Sequence, residues 1–315
     1  MNKSDKIYVA GHNGMVGSAI VRLLKKRGFD NLILRTHKEL DLIDSNAVKD
    51  FFSLAQPDIV IMAAARVGGI QANIEHPAEF LHENLAIQTN IIRNSFLQKA
   101  KKVCFLGSSC VYPRECSQPM KEEYLLTGQL EPTNEGYALA KIAGIKMIEY
   151  YRRQYGFNGI SLIPCNLYGT NDNFYPMHSH VVAALIRKIV DAVDNAEESV
   201  SIWGTGKARR ELMHVDDAAD AIVFFIENEA GPQMINIGWG EDISIEKLTL
   251  LVARKAGFTG AINYDVTKPD GMMRKCMDIS RMKDFGFMPK ITLEAGIERT
   301  INEYKELKRK KAELL

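Results

Sequence analysis

The apolar positions in the first half of the chain change their period repeatedly. Ile7-Tyr8-Val9-Ala10 is an unbroken apolar run, the pattern of a strand buried on both faces. Glycines follow, and then Met15, Val16, Ala19, Ile20, Leu23 and Leu24 recur at spacings that draw one stripe along a helix. The same alternation predicts strands at 31–34, 58–64, 103–106 and 159–163. Between them it predicts helices from Asp44 or Ser45 to Leu54, stopped by Pro57, and over 77–98 and 134–155. Strands and helices alternating at this pitch form a parallel, doubly wound sheet. After Pro164 the rhythm loosens. Residues 169–179 read as a polar, aromatic loop, followed by a helix over 181–193 and a short strand at 200–203. His214-Val215-Asp216-Asp217 starts a helix to 227; a strand at 234–237, a helix at 245–256 and a terminal helix from Leu293 complete the chain.

The 315 residues suggest about two domains, at about 150 residues each. The expected architecture is an α/β, Rossmann-type doubly wound parallel sheet with a smaller C-terminal α/β substrate-binding lobe. The first domain takes 1–168 with a returning segment at about 214–240, and the lobe takes 169–213 and 241–315. With 46% hydrophobic and 25% charged residues the chain is an ordinary globular one, which excludes disordered and fibrous classes. Forty basic residues against 39 acidic ones leave a formal charge of +1, so no bulk field favours nucleic acid or an acidic membrane. Cys104, Cys110, Cys116, Cys165 and Cys276 form no CxxC pair, which removes zinc and thioredoxin readings; no metal is expected. An odd count without a disulfide pattern fits a reducing cytosol. Residues 1–5 are polar and the next apolar run stops at Gly11, unlike a secretory signal. The longest strongly apolar run, 59–65, is too short to span a bilayer. A cytoplasmic protein with no membrane or nucleic-acid partner is expected. The basic run Lys308 to Lys311 reads as a solvated helix end.

Gly11-His12-Asn13-Gly14-Met15-Val16-Gly17 joins a strand to a helix with G-x-x-G-x-x-G spacing. Glycines close such a turn for steric reasons alone, but they also let a pyrophosphate approach the backbone where the helix N-terminus offers free N–H donors. The strand-turn-helix context is the one a dinucleotide requires. At the end of the second strand, an acid would bond a ribose 2′-hydroxyl and repel a 2′-phosphate. Here stand Leu34-Arg35-Thr36-His37-Lys38, with no carboxylate before Glu39, which favours NADP over NAD. The competing reading is a surface turn whose charge has no role. Asp41 and Leu42 are placed to approach the adenine.

Tyr137 and Lys141 stand four apart on one predicted helix face. A phenol with an ammonium beside it gives up or takes a proton more readily near neutral pH. By itself such a pair is ordinary helix surface. Its place one unit after Gly107-Ser108-Ser109-Cys110, at the end of a buried strand, points to a site, because ligands of doubly wound folds bind beyond the carboxyl ends of strands. Ser108 is then positioned to bond the same substrate oxygen as Tyr137. Cys110 alone reads as a small buried residue, and His180 alone as a helix cap.

The glycine turn, Ser108 and the Tyr137/Lys141 pair resemble the extended short-chain dehydrogenase/reductases. Finer strings are similar to one branch, the GDP-L-fucose synthase (GDP-4-keto-6-deoxymannose 3,5-epimerase/4-reductase) family. They are Ala63 to Ile70 (AAARVGGI), Leu106 to Pro113 (LGSSCVYP), Glu131 to Glu135 (EPTNE), Asn166 to Gly169 (NLYG), Asp172-Asn173-Phe174, Ser179-His180-Val181 and Lys268-Pro269-Asp270-Gly271. The resemblance runs from Ile7 to about Ile297. It implies NADPH-dependent reduction of a GDP-linked 4-keto-6-deoxy sugar after epimerisation at carbons 3 and 5, giving GDP-L-fucose. It implies Tyr137 as proton donor, Lys141 lowering its pKa and holding the nicotinamide ribose, Ser108 orienting the carbonyl, and Cys110 with His180 as the epimerisation pair. NADP(H) is then held by Gly11, His12, Asn13, Gly14, Met15, Val16, Gly17, Arg35, His37, Asp41, Leu42, Ala64, Asn84, Leu106, Gly107, Ser108, Ser109, Lys141, Pro164, Asn166, Leu167 and His180. The implied substrate contacts are Asn166, Lys188, Trp203, Arg210 and Asp270. From the residue alone, Trp203 reads equally as core. Lys188, Asn13 and His37 stand where the family often has arginine; Arg35 and His37 are expected to compensate at the 2′-phosphate, so NADPH stays the preferred cofactor and dual use of NADH is left open. The resemblance further implies a homodimer through the helices at 77–98 and 134–155. Two readings compete: a 4-reductase of another GDP-4-keto sugar, such as a heptose, without epimerisation, and a dinucleotide-sensing binding protein.

Overall fold

A computed structural model describes residues 1–175, 179–228, 233–268 and 270–312, with side chains to residue 310. Residues 176–178 of the polar loop, Pro269 of the Lys268–Gly271 string and the Lys311 side chain of the basic run lie outside the described residues.

The first half alternates as its periodicity predicts. β1 (Ile7–Ala10) leads to α1 (Met15–Lys26), β2 (Leu32–Ile33), α2 (Ser45–Ala55) and β3 (Ile59–Met62). A short α3 (Ile70–Glu75) and the long α4 (Pro77–Leu97) precede β4 (Lys102–Leu106), α5 (Glu135–Tyr155) and β5 (Gly159–Pro164). Asp44 starts α2 by accepting from the Asn46 and Ala47 amides. The later elements are β6 (Asn166–Tyr168), α6 (Val181–Asp194), β7 (Ser199–Trp203), β8 (Arg209–His214), α7 (Val215–Glu227) and β9 (Met234–Ile237). They end with β10 (Asp242–Ser244), α8 (Ile245–Ala256), β11 (Ala261–Asp265), β12 (Arg274–Lys275), α9 (Ser280–Asp284) and α10 (Leu293–Ala312).

The main sheet is parallel throughout, in the order β2-β1-β3-β4-β5-β9. It grows one way from β1 through β2 and the other way through β3, so the strand order reverses between β1 and β3. That reversal opens a crevice at the carboxyl ends of these two strands. The runs β1, β3 and, after Lys102, β4 are buried along their whole length, which is why they read as continuous apolar stretches. The second strand is shorter than 31–34. It is an edge, paired only through Leu32 and Ile33 to β1.

Beyond Pro164 the chain builds small sheets. β8 pairs antiparallel with β10 and parallel with β12 and β6, and β7 pairs parallel with β11. Two hydrophobic clusters result. The larger holds the main sheet, α7, β9 and also Met277, Ile279, Met282 and Phe287. The smaller gathers α6, α8 and α10 around Tyr168, Ile202 and Leu212. The segment 276–287 therefore packs with the main sheet although it follows most of the second cluster in the chain. No described helix is long and apolar enough to cross a membrane.

Candidate active site

One cavity of about 1530 Å³ runs from the glycine turn, past the ends of β4 and β5, to Trp203 and Asp270. Single-ligand pockets hold about 300–1,000 Å³, so this volume suits two ligands side by side. Its lining includes Gly11, Gly14, Met15, Val16, Arg35, His37, Asp41, Leu42, Ala64, Leu106, Gly107, Ser108, Ser109, Cys110, Tyr137, Lys141, Pro164, Asn166, Leu167, His180, Lys188, Trp203, Arg210 and Asp270. Of the expected residues, His12, Asn13, Gly17 and Asn84 lie outside the lining.

The glycines have distinct reasons. Gly11 has φ +81°, and a Cβ there would lie 2.6–2.8 Å from the backbone of Ala63 and Ala64. A Cβ on Gly17 would lie 2.1 Å from the Gly11 carbonyl oxygen. Gly14 is more open, its nearest neighbour being the same oxygen at 3.4 Å. It precedes α1 without a side-chain cap, and no acid occupies the first turn. The free N–H groups and the positive helix end therefore face the cavity, a cradle that fits a pyrophosphate.

At the other end of this subsite, Glu39 is turned back onto its own loop. It accepts from the Thr36 amide at 2.7 Å and the Thr36 hydroxyl at 2.8 Å. Arg35 stays at the cavity, bonded to the Leu34 carbonyl, and His37 is exposed. The charge facing a ribose 2′ substituent is thus cationic. Asn84 bonds both backbone groups of Arg66 and the Phe80 carbonyl. It holds the Ala65–Arg66 segment in place rather than facing a ligand.

At the middle of the cavity, β4 delivers Ser108 and α5 delivers Tyr137 and Lys141. The Ser108 hydroxyl hydrogen-bonds Tyr137 and also Cys110, whose amide lies 3.5 Å from it. Lys141 donates to the Leu106 carbonyl at 2.8 Å, with its ammonium 5.7 Å from the Tyr137 ring centre. Burial pushes the Tyr137 phenol far above its ordinary value, against the depression expected from Lys141. The same burial pushes Lys141 down to about 8. Tyr137 is therefore fully protonated at neutral pH, the state a proton donor needs.

Cys110 and His180 line the same space. Burial raises the Cys110 thiol, opposed chiefly by the charge of Lys275. Desolvation by the surrounding cavity walls lowers His180, which remains open to the cavity, with Lys275 adding to the effect. His180 stands at the start of α6, but its side chain makes no capping hydrogen bond there, so the helix-cap reading fails. Lys275 is the functional candidate that sequence reasoning missed. It sits on the two-residue β12, a strand too short for any periodic signal, and its neighbour Arg274 pairs with Asp242.

At the rim, Trp203 is 63% exposed and so is not core; the Lys268 ammonium lies 5.4 Å from its ring centre. Lys188 donates to the Ser201 carbonyl at 2.6 Å. Arg210 donates to the Met272 and Asp270 carbonyls. Asp270 has both carboxylate oxygens engaged, one by the Thr205 amide and one by the Thr205 hydroxyl, each at 2.8 Å. Its first task is to fix the Gly204–Thr205 turn under this rim. Among the described residues no cluster of His, Cys, Asp and Glu could hold a metal.

A parallel sheet with its crevice at the strand reversal, a glycine cradle and a Ser-Tyr-Lys set define a dinucleotide-dependent oxidoreductase site. The profile of the NAD dependent epimerase/dehydratase family matches residues 7–238, and the chain belongs to that family. Within it the chain is 52% identical over 303 residues to GDP-L-fucose synthase 1 of Arabidopsis thaliana, covering 96% of this chain and 94% of that one. It is 46% identical over 311 residues to GDP-L-fucose synthase of Escherichia coli (strain K12), covering 96% and 97%. A solved structure of a GDP-mannoheptose C4 reductase from Campylobacter jejuni with NADP bound superimposes with a TM-score of 0.89 at 41% identity, covering 97% and 99%.

Proposed function

We propose that the protein is an NADPH-dependent GDP-4-keto-6-deoxymannose 3,5-epimerase/4-reductase that makes GDP-L-fucose. The observation that carries this is one continuous cavity in which the Ser108-Tyr137-Lys141 set and the Cys110-His180 pair share the space between a glycine cradle and a cationic rim. Near-full-length relatives named GDP-L-fucose synthase support the substrate.

Two chemistries meet on one sugar. A proton α to a ketone is acidic because the enolate spreads its charge to oxygen. Cys110 takes that proton, with Lys275 and Lys141 favouring its thiolate against burial, and His180 returns one to the other face. NADPH, when bound, supplies hydride to carbon 4. Tyr137 gives its hydroxyl proton to the 4-keto oxygen, Ser108 orients that oxygen, and Lys141 holds the ribose. Lys188, Arg210 and Trp203 take the GDP portion, cations suiting its diphosphate. Gly11 to Val16 would hold the dinucleotide, with Arg35 and His37 toward its 2′-phosphate. The dinucleotide domain comprises 1–168 with about 214–240, the segment 276–287 packs against its sheet, and the rest of 169–213 and 241–315 forms the sugar lobe.

We also place the enzyme in the cytoplasm, where its five free cysteines belong, as a homodimer through α4 and α5. These helices pack together and leave Leu97, Leu139 and Tyr150 exposed. A second reading, 4-reduction of another GDP-4-keto sugar such as a heptose, is favoured by the likeness to the C4 reductase. A pure sensor would have no use for the Tyr137 proton.

The deciding experiment is incubation with GDP-4-keto-6-deoxymannose and NADPH in heavy water, read by mass spectrometry. Reduced product with solvent deuterium at carbons 3 and 5 is expected. Reduced product without it makes the enzyme a plain 4-reductase, and no reduction rejects this substrate in favour of other GDP-4-keto sugars.

A further inference from the structure

The segment 169–175 lies across the two hydrophobic clusters and is fastened to both. On the side of the main sheet, Gly169 lies against the buried His214 ring, so closely that a Cβ would come within 2.7 Å of His214 Nε2. Two residues on, Asn171 Nδ2 donates to the Asn13 carbonyl at 2.9 Å and reaches Ser18 Oγ at 3.3 Å. On the side of the second cluster, Thr170 Oγ1 donates to Glu303 of α10 at 2.6 Å. Arg187 of α6 donates to the Phe174 carbonyl at 2.9 Å, and the Phe174 ring packs 4.7 Å from Tyr304. The Ser179 amide then bonds the Tyr175 carbonyl at 2.9 Å, which brings the strap to His180 and the start of α6.

The Asn171 side chain reaches the glycine turn. Its φ of +68° is a left-handed conformation that asparagine tolerates better than other side chains apart from glycine. The carbonyl it holds belongs to the peptide joining Asn13 to Gly14, the residue that opens α1 toward the cavity. The amide therefore fixes the plane of the turn that presents the helix N–H groups.

We propose that Asn171 is a positioning residue that ties the dinucleotide-binding turn to α6. Through this tie, binding of the dinucleotide and of the GDP sugar reinforce each other. The second half of the proposal rests on the substrate reading above. Ordering the turn around a pyrophosphate orders the strap, and with it the helix that carries His180 and Lys188. A ligand held by α6 orders the turn in return, since coupling between sites is reciprocal.

The test titrates NADPH into the full-length wild type, Asn171→Gly and Thr170→Val, each with and without GDP. Asn171→Gly keeps the left-handed backbone and loses only the amide, so the fold persists. The expected result is that GDP tightens NADPH binding to the wild type. Asn171→Gly should weaken NADPH by about 3–10-fold, the loss of one hydrogen bond, and abolish the GDP effect. Thr170→Val should keep the NADPH affinity and reduce the GDP effect. Unchanged NADPH affinity in Asn171→Gly, or a full GDP effect in it, overturns the proposal. Failure of GDP to bind the wild type instead rejects the substrate reading, and the NADPH arm alone then decides the clamp.

Discussion

Gly14 and Gly17 belong to one motif, yet alanine at each should fail for a different reason. At Gly17 the new methyl would lie 2.1 Å from the Gly11 carbonyl oxygen and 2.7–2.8 Å from Gly11 C and His12 Cα. All three are backbone atoms of a turn that β3 already confines, so no rotamer change relieves the clash. Separation to ordinary contact requires a shift of about 1 Å between α1 and the turn, and overpacking of this kind costs about 1–3 kcal/mol. For a chain of 315 residues that is about 2–5 °C in Tm. The same shift moves the helix N–H groups off the pyrophosphate, and losing one hydrogen bond to a charged group costs about 1.5–3 kcal/mol, or about 10–200-fold in affinity. At Gly14 the methyl meets only one oxygen, at 3.4 Å, so the apoprotein accommodates it. There the methyl stands where the dinucleotide must approach. Thermal melts with and without NADPH, alongside NADPH titration by fluorescence, separate the two. Gly17→Ala should lose both apoprotein Tm and affinity, whereas Gly14→Ala should keep its Tm and lose affinity and ligand-induced stabilisation. A Gly17→Ala protein with wild-type Tm and NADPH affinity would refute the steric argument, and a Gly14→Ala protein that binds NADPH normally would refute the cradle.

Tyr137→Phe should lower the reduction rate by about 100–10,000-fold while NADPH titration gives a near wild-type Kd; normal turnover would remove Tyr137 from the proton-donor role. Cys110→Ser should abolish deuterium uptake from solvent into the sugar, measured by mass spectrometry, and unaltered uptake would assign the base elsewhere. Arg35→Ala should raise the KM for NADPH more than that for NADH, and equal effects would dismiss Arg35 as the 2′-phosphate partner. Lys141 carries a pH signature. Its folded value of about 8 lies below the ordinary lysine value of 10.5, so between these values the unfolded chain binds more protons and the Lys141 contribution to stability rises with pH. Denaturant melts of Lys141→Met should therefore show a stability gain over wild type that is largest below pH 8 and shrinks toward pH 10.5; a pH-independent difference would contradict the buried ammonium.

Much of this was legible in the chain because it is local. β1, β3 and, after Lys102, β4 announce themselves as unbroken apolar runs, since both faces of each are covered. The glycine turn and the Tyr137/Lys141 spacing are likewise read within one element. What stayed hidden depends on distant partners. β6, β10 and β12 span only two or three residues, and β8 and β11 interrupt their apolar positions with polar and charged ones; all exist through pairings such as β6 with β8 that no window of sequence contains. Six-residue α3 follows two glycines and offers too few turns for a stripe. Lys275 and Asn171 carry no motif; the first matters because Cys110 faces it, the second because Asn13 does. Asp270 shows the converse, a residue found by resemblance whose carboxylate is already spent on Thr205.

The single cavity has a pharmacological consequence. No protein wall divides the dinucleotide end from the rim at Trp203, and Ser108, Tyr137, Cys110 and His180 stand between them. A compound that joins a dinucleotide fragment to a GDP fragment across this space would turn its second contact into an intramolecular one. With a linker matched to the span, such avidity exceeds either half by about 100–10,000-fold. Enzymes that share only the glycine turn would capture one half of that compound and gain none of this advantage.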